Sequence, residues 1–197
     1  MSLADELQAD TLERFLRYVR VDTQSAYFSD TRPSSERQLD LSRLLRDELE
    51  ELGLEDVELT DYGYVFATLP GEGPTVGLIA HVDVSPDAPA AGVEPQVHEN
   101  YQGGELVAGL SPENSPLLAE RIGHDVVTSD GTTLLGADDK AGVAAIMAAV
   151  AYLKAHPALR HATVRVGFTT DEEIGHGTDY FGPPLTLYLN GEVSKVE

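Results

Sequence analysis

Cysteine is absent from this 197-residue chain, which excludes disulfides and thiolate zinc sites together. Basic residues are scarce: 13 Lys and Arg face 34 Asp and Glu, and only Lys140, Lys154 and Lys195 are lysines. The formal charge of −21 repels nucleic-acid phosphates and anionic headgroups, so neither nucleic acid nor membrane is expected as a partner. No apolar run approaches the roughly 20 residues that span a bilayer. The opening MSLADELQAD is acidic where a secretory signal is basic and then apolar, which fits a cytoplasmic protein. Met1-Ser2-Leu3 reads as a cloning remnant.

What remains has a globular composition, with 42% hydrophobic residues, enough for one good core. Residues 4–20 place Leu12, Phe15, Leu16 and Val19 at helical spacing. A second helix is predicted over about 35–52, capped by Ser34 or Ser35, striped by Leu41, Leu44, Leu45, Leu49 and Leu52, and ended by Gly53. Strands follow at 56–60, 64–69 and 75–80, the first two joined through Asp61-Tyr62-Gly63. Residues 84–120 form a long excursion rich in Pro, Gly and Ala, a kind of segment more often functional than idle. A hairpin is predicted from 125–128 and 132–135, then an Ala-rich helix from near Asp139 to His156, then a strand at 162–169. Helices alternating with strands give a layered α/β fold, whose ligand site lies beyond the strands' carboxyl ends.

Three charged clusters stand at such positions. His81-Val82-Asp83 ends a strand, where residues two apart point to one side, so Asp83 can orient the ring of a ligating His81. Asp138-Asp139 stands at a strand-to-helix junction. Asp139 can satisfy the helix terminus, which leaves Asp138 to point into the site, where its two oxygens can bridge metal ions. Asp171-Glu172-Glu173 follows the last strand, and side chains adjacent on extended backbone diverge, so one Glu can bind metal while the other holds a proton. Gly175 and Gly177 permit a sharp turn afterwards. Each cluster alone has an ordinary structural reading as a turn, a cap or an acidic loop. Their shared placement after strands is the specific signal. His98, His124, His156 and His161 belong to no cluster and read as surface residues, while His176 is close enough to the last cluster to touch a ligand.

Taken together, AHVDVSPDAP, TLLGADDKAGVAAIM and FTTDEEIGHG resemble the di-zinc exopeptidases, and most narrowly their peptidase T tripeptide aminopeptidases. LERFLRYVRVDTQS and VEPQVHENYQGGEL extend the resemblance over about residues 11–181. It implies a three-layer α/β/α sandwich with a mixed, largely parallel sheet. It implies that His81 binds one zinc, Asp138 bridges two and Glu173 binds the other, with Glu172 as general acid/base and Asp83 steadying His81. A cis peptide between Asp138 and Asp139 is expected from it as well. The activity implied is release of the N-terminal residue of tripeptides by a water activated on two Zn2+ ions per complete site.

The resemblance also implies parts that this chain lacks. Residues 1–197 correspond to a partial catalytic domain, without the C-terminal part, its distal His ligand, or the inserted dimerisation and lid domain. Residues 182–197 form an atypical tail: aligned on Gly191, the slot of a further Asp ligand holds Asn190 and a Tyr slot holds Leu187. Two alternatives therefore stand beside an active peptidase. One is a non-catalytic remnant that folds by homo-oligomerising; the other is a different di-zinc amidohydrolase. A Mg2+ phosphohydrolase using Asp138, Asp139 and Glu173 leaves His81 unexplained and lacks a phosphate-cradling loop.

Overall fold

The computed structural model describes residues 3–107, 109–181 and 188–190. Helix α1 runs over Leu3–Tyr18 and turns Phe15, Tyr18 and neighbouring Val19 inward. Helix α2 covers Gln38–Glu51, with Leu41, Leu45 and Leu49 fully buried at helical spacing. Gly53 ends it at φ 70°, donating its N–H to Glu50 O, as the sequence predicts. Neither Ser34 nor Ser35 caps α2, whose first turn has no side-chain cap. Ser34 is instead committed to a distant carboxylate described below.

Strands β1 (Glu55–Leu59), β2 (Val65–Leu69), β3 (Thr75–His81), β6 (Thr163–Thr169) and β7 (Tyr188–Asn190) form one sheet in the order β1-β2-β6-β3-β7. The first two pairings are antiparallel and the last two parallel. The β1–β2 link turns at Gly63, φ 82°, where the sequence places a turn. The expected 125–135 hairpin does not form. Strand β5 (Val126–Thr128) pairs antiparallel with β4 (Gln96–His98) from the long excursion. The Ser129 hydroxyl donates to Thr133 O and accepts from Gly131 N–H, closing a compact turn, and Leu134 N–H donates to Pro89 O. The excursion also contains a short helix, α3 (Pro116–Ala119).

Helix α4 (Ala137–Ala155) connects β5 to β6 and packs on α1 and β3. Its true helical winding starts after Asp139, since Asp138 and Asp139 have non-helical dihedrals. Register shows how the core is layered. Val65, Ala67 and Leu69 of β2 stand opposite Phe168, Val166 and Val164 of β6, whose parallel partners in β3 are Ala80, Leu78 and Val76. This face packs against Leu41, Leu45 and Leu49 of α2, Val143, Met147 and Val150 of α4, and Phe15 and Val19 of α1. The architecture is a three-layer α/β/α sandwich with a mixed sheet, of which the described residues supply the sheet and one helical layer.

On the opposite face Phe181 packs edge-on to Phe66, ring centroids 5.3 Å apart, over Gly167. Tyr180 stacks on Tyr62 at 3.7 Å, and the Tyr64 hydroxyl donates to His176 O. These aromatic contacts pin the segment that follows the third acidic cluster. No helix of the described residues is long and apolar enough to cross a membrane.

Helices α1 and α2 are joined by charge as well as by packing. Glu48 is buried and accepts from Tyr18 OH at 2.6 Å and Arg14 NH1 at 2.7 Å, while Arg17 NH2 stands 2.9 Å from its other oxygen. Burial and the Glu48 carboxylate raise the Tyr18 phenol pKa well above its usual value. Glu48→Ala removes the acceptor of the buried Tyr18 hydroxyl and leaves Arg14 with Asp10, at an expected cost of about 3 kcal/mol. Urea unfolding of the two forms measures it; a loss below about 1 kcal/mol contradicts the assignment.

Candidate metal centre

The parallel strands β3 and β6 end level with each other, His81 opposite Thr169. Their continuations therefore deliver His81 to Asp83 and Thr170 to Glu173 to the same edge of the sheet. The start of α4 brings Asp138 to that edge. One ligand atom each from His81, Asp138 and Glu173 lie within 4.8 Å of one another. His81 is almost fully buried, whereas Asp138 and Glu172 are largely exposed, so the histidine forms the floor of an acidic, open site.

The His81 ring is fixed by its surroundings. Its Nδ1 lies 3.0 Å from Asp83 O and 3.4 Å from Asp83 Oδ1, both acceptors, so this nitrogen carries a proton. Nε2 then points at Asp138 Oδ1, 3.0 Å away, with Glu172 Oε2 at 3.8 Å. Burial opposes charge on the ring, but Asp83, Asp139 and Glu172 outweigh it and raise the His81 pKa to about 10. The metal-free ring therefore holds a second proton at Nε2, in the place where a cation would bind. Glu173 is pushed up, first by burial and then by Asp138, Asp83 and Glu172, against the opposing charge of His81.

Asp83 has a larger part than orienting His81. Fully buried, its Oδ1 accepts the backbone N–H of Glu172 at 3.0 Å and its Oδ2 that of Glu173 at 3.2 Å. One carboxylate thus sets the height of both glutamates above the ring. A peptide bond in cis links Asp138 to Asp139, matching the expectation. The Asp139 carboxylate folds over Gly142 so closely that a Cβ there would stand 2.2 Å from Oδ1. That position accords with Asp139 serving the helix start.

Two further groups escaped the sequence. Lys140 is buried, donates from Nζ to Val21 O at 2.8 Å and faces Asp22 and Asp83. Burial lowers its pKa to about 8 against the pull of those acids. The sequence showed it only as a basic neighbour of two aspartates. The second is the buried carboxylate of Asp171, which accepts from Ser34 N–H (2.8 Å), Ser34 Oγ (2.5 Å) and Gln38 Nε2 (2.7 Å). Gln38 Oε1 in return accepts the Asp171 N–H at 3.0 Å. No local pattern announces partners more than 130 residues apart. Of the other histidines, His124 and His156 are exposed, while His98 is half-buried and 2.9 Å from Thr128 Oγ1, and His161 is half-buried. His176, three residues past the acidic cluster, is held by Asp179 at 2.7 Å and lies outside the ligand group.

The donor set suits a divalent cation: an imidazole nitrogen and two carboxylates converge, and repulsion among the acids favours a cation there. The backbone of Asn190 pairs beside Ile79, and Leu187 lies outside the described residues.

The model of peptidase family M20/M25/M40 matches residues 127–191. A peptidase T of an Exiguobacterium species is 50% identical over 185 residues, 89% of this chain and 45% of the relative. A peptidase T of Desulfitobacterium hafniense strain Y51 is 51% identical over 183 residues, covering 88% and 44%. The chain thus spans a little under half the length of the curated relatives it matches. Among solved structures, a tripeptidase of Staphylococcus aureus superposes with a TM-score of 0.66 at 23% identity, covering 93% of this chain and 43% of that one. The aminopeptidase PepT of Bacillus cereus gives 0.62 at 24%, covering 89% and 40%; both likenesses speak to the fold. Over almost its whole length, half of this chain's residues are identical to those of peptidases T, and its residues 127–191 match peptidase family M20/M25/M40.

Proposed function

We propose that the chain is the metal-binding part of a zinc aminopeptidase that removes the N-terminal residue of tripeptides. The convergence of His81, Asp138 and Glu173 within 4.8 Å carries this reading. The absence of cysteine supports a cytoplasmic setting. When bound, two zinc ions per complete site would supply an acidified water and positive charge for a developing oxyanion.

The chain's own residues then have separable tasks. His81 offers Nε2 and the carboxylates of Asp138 and Glu173 offer oxygens. Glu172 is directed to the same place by the bond from its N–H to Asp83, and its half-exposed side chain brings Oε2 to 3.8 Å from His81 Nε2. It can take a proton from the attacking water and return it to the departing amine. Asp83 keeps the His81 ring in the tautomer that presents Nε2.

Zinc content and tripeptide cleavage test the reading together. The chain is expected to bind zinc, and His81→Ala or Asp138→Ala to abolish binding; no bound zinc and no cleavage in excess metal would overturn it. Glu172→Gln is expected to retain zinc while slowing cleavage about 10²- to 10⁴-fold.

Metal must also displace the Nε2 proton of His81. Because the folded pKa is raised to about 10, that proton is present throughout the neutral range. Apparent zinc affinity should therefore rise roughly tenfold per pH unit between about pH 6 and pH 8. Calorimetry in buffers of different ionisation enthalpy should count about one proton released. A pH-independent affinity would remove His81 from the ligand set.

A further inference from the structure

The turn that carries both site glutamates is anchored at one residue. Asp171 uses every polar group it has. Its O accepts the His176 N–H at 2.9 Å, its N–H donates to Gln38 Oε1, and its carboxylate accepts from Gln38 Nε2, Ser34 N–H and Ser34 Oγ. The first of these bonds closes residues 171–176 into a ring. Glu172 and Glu173 stand on the single 3-10 turn inside it, and Gly175, φ 80°, lets the chain return.

Gln38 is the distinctive partner. Its amide meets one residue with both ends, Nε2 on the carboxylate at 2.7 Å and Oε1 on the N–H at 3.0 Å. That contact needs a donor and an acceptor side by side, which a carboxamide supplies and a carboxylate of the same shape does not. Ser34 adds its own N–H and hydroxyl, and its Oγ also accepts the Ala26 N–H at 2.9 Å, which ties the α1–α2 loop into the same unit. Packing alone does not call for this polarity. Leu41, Leu45 and Leu49 already seat α2 on the core, and both Gln38 and Ser34 are buried where apolar side chains would fit the surroundings.

The same two glutamates are gripped from the opposite side, where Asp83 takes their N–H groups. The ring therefore has two anchors, one at the end of β3 and one on α2 and the loop before it. Releasing only the second leaves Asp83 in place, so the ring persists but loses its aim.

We propose that Gln38 and Ser34 are positioning residues of the metal centre, which act through Asp171 to set where Glu172 and Glu173 stand over His81. They touch neither metal nor substrate. This rests on the peptidase reading for the tasks of the two glutamates, and it gives helix α2, which supplies no ligand, a part in the site.

The test reads three quantities in each variant: affinity for zinc ion by chelator competition, amide hydrogen exchange of Glu172 and Glu173 in the metal-free chain, and the urea midpoint. Gln38→Leu is expected to weaken zinc binding about 10- to 100-fold and to speed exchange at those two amides about tenfold, with the β6 amides of Val166 and Phe168 unchanged. Gln38→Glu keeps the shape but sets an acceptor against the Asp171 carboxylate, and should lose at least as much. Ser34→Ala should weaken zinc several-fold and Ser34→Thr, which keeps the hydroxyl, should restore it. Ser42→Ala is the control: the buried Ser42 hydroxyl of α2 donates to Gly63 O at 2.8 Å, so its loss lowers the urea midpoint without moving zinc affinity. Should Gln38→Leu fail to fold, the Ser34 pair carries the test. Parental zinc affinity and slow exchange in the Gln38 and Ser34 variants, or losses no greater than those of Ser42→Ala, overturn the proposal and leave the peptidase reading intact. A parent chain that binds no zinc defeats the peptidase reading, while faster exchange at Glu172 and Glu173 in Gln38→Leu still supports the anchoring and unchanged exchange still overturns it.

Discussion

The site depends on one buried negative charge. Asp83 is fully enclosed, and a carboxylate so placed is costly unless its oxygens are satisfied. It is satisfied by the N–H groups of Glu172 and Glu173 and by the protonated Nδ1 of His81. Each of these contacts also determines where a functional group points. Satisfying the aspartate and building the site are the same act, so a neutral apolar residue at 83 would release the histidine and both glutamates together. Lys140, buried nearby with Nζ on Val21 O, supplies a second positive charge facing Asp83.

A second buried carboxylate acts from the other side of Glu172. Asp171 has a left-handed backbone, φ 62°, which is uncommon outside glycine, although Asp tolerates it better than most residues. Its side chain is bound by Ser34 and Gln38, and its N–H by Gln38, so the surroundings over-determine the conformation. Glu172 is thus flanked by one residue tied to the α1–α2 loop and α2, and is itself tied to the end of β3 through Asp83. A Cβ on Gly177 would approach Glu172 Cα to 3.0 Å, so the returning chain closes on the same residue. The Glu172 backbone is thus held on three sides, and its half-exposed side chain reaches toward His81.

Much of this was legible in the sequence because it is periodic or local. The Leu41, Leu45, Leu49 stripe announced α2, and alternation in TVRVGFT announced β6 and its buried face. The three acidic or His clusters could be placed at one edge of the sheet once strands were placed, since strand ends dictate that edge. What stayed hidden is pairing across distance. Ser34 looked like a helix cap because capping is the local use of serine before a helix; a carboxylate 137 residues away competed for its hydroxyl and won. Adjacency in sequence predicts the 125–135 hairpin, whereas β5 pairs with β4 some 30 residues earlier. In the second case Ser129 had already closed a tight turn, so the chain beyond it was not free to form a ladder.

The same electrostatics link folding to metal. In the metal-free chain the acids around His81 lift its pKa from about 6.5 to about 10, so the folded form binds that proton more tightly than the unfolded form does. This stabilisation is complete below pH 6.5 and is lost as pH rises through 10. The proton and a divalent cation answer one need, positive charge at Nε2 among carboxylates, and they exclude each other there. A cation that expels the proton therefore takes over the proton's role in holding the fold, with more charge and more ligands. The acids at this edge would have a positive charge among them in either case, from the proton or from a bound cation.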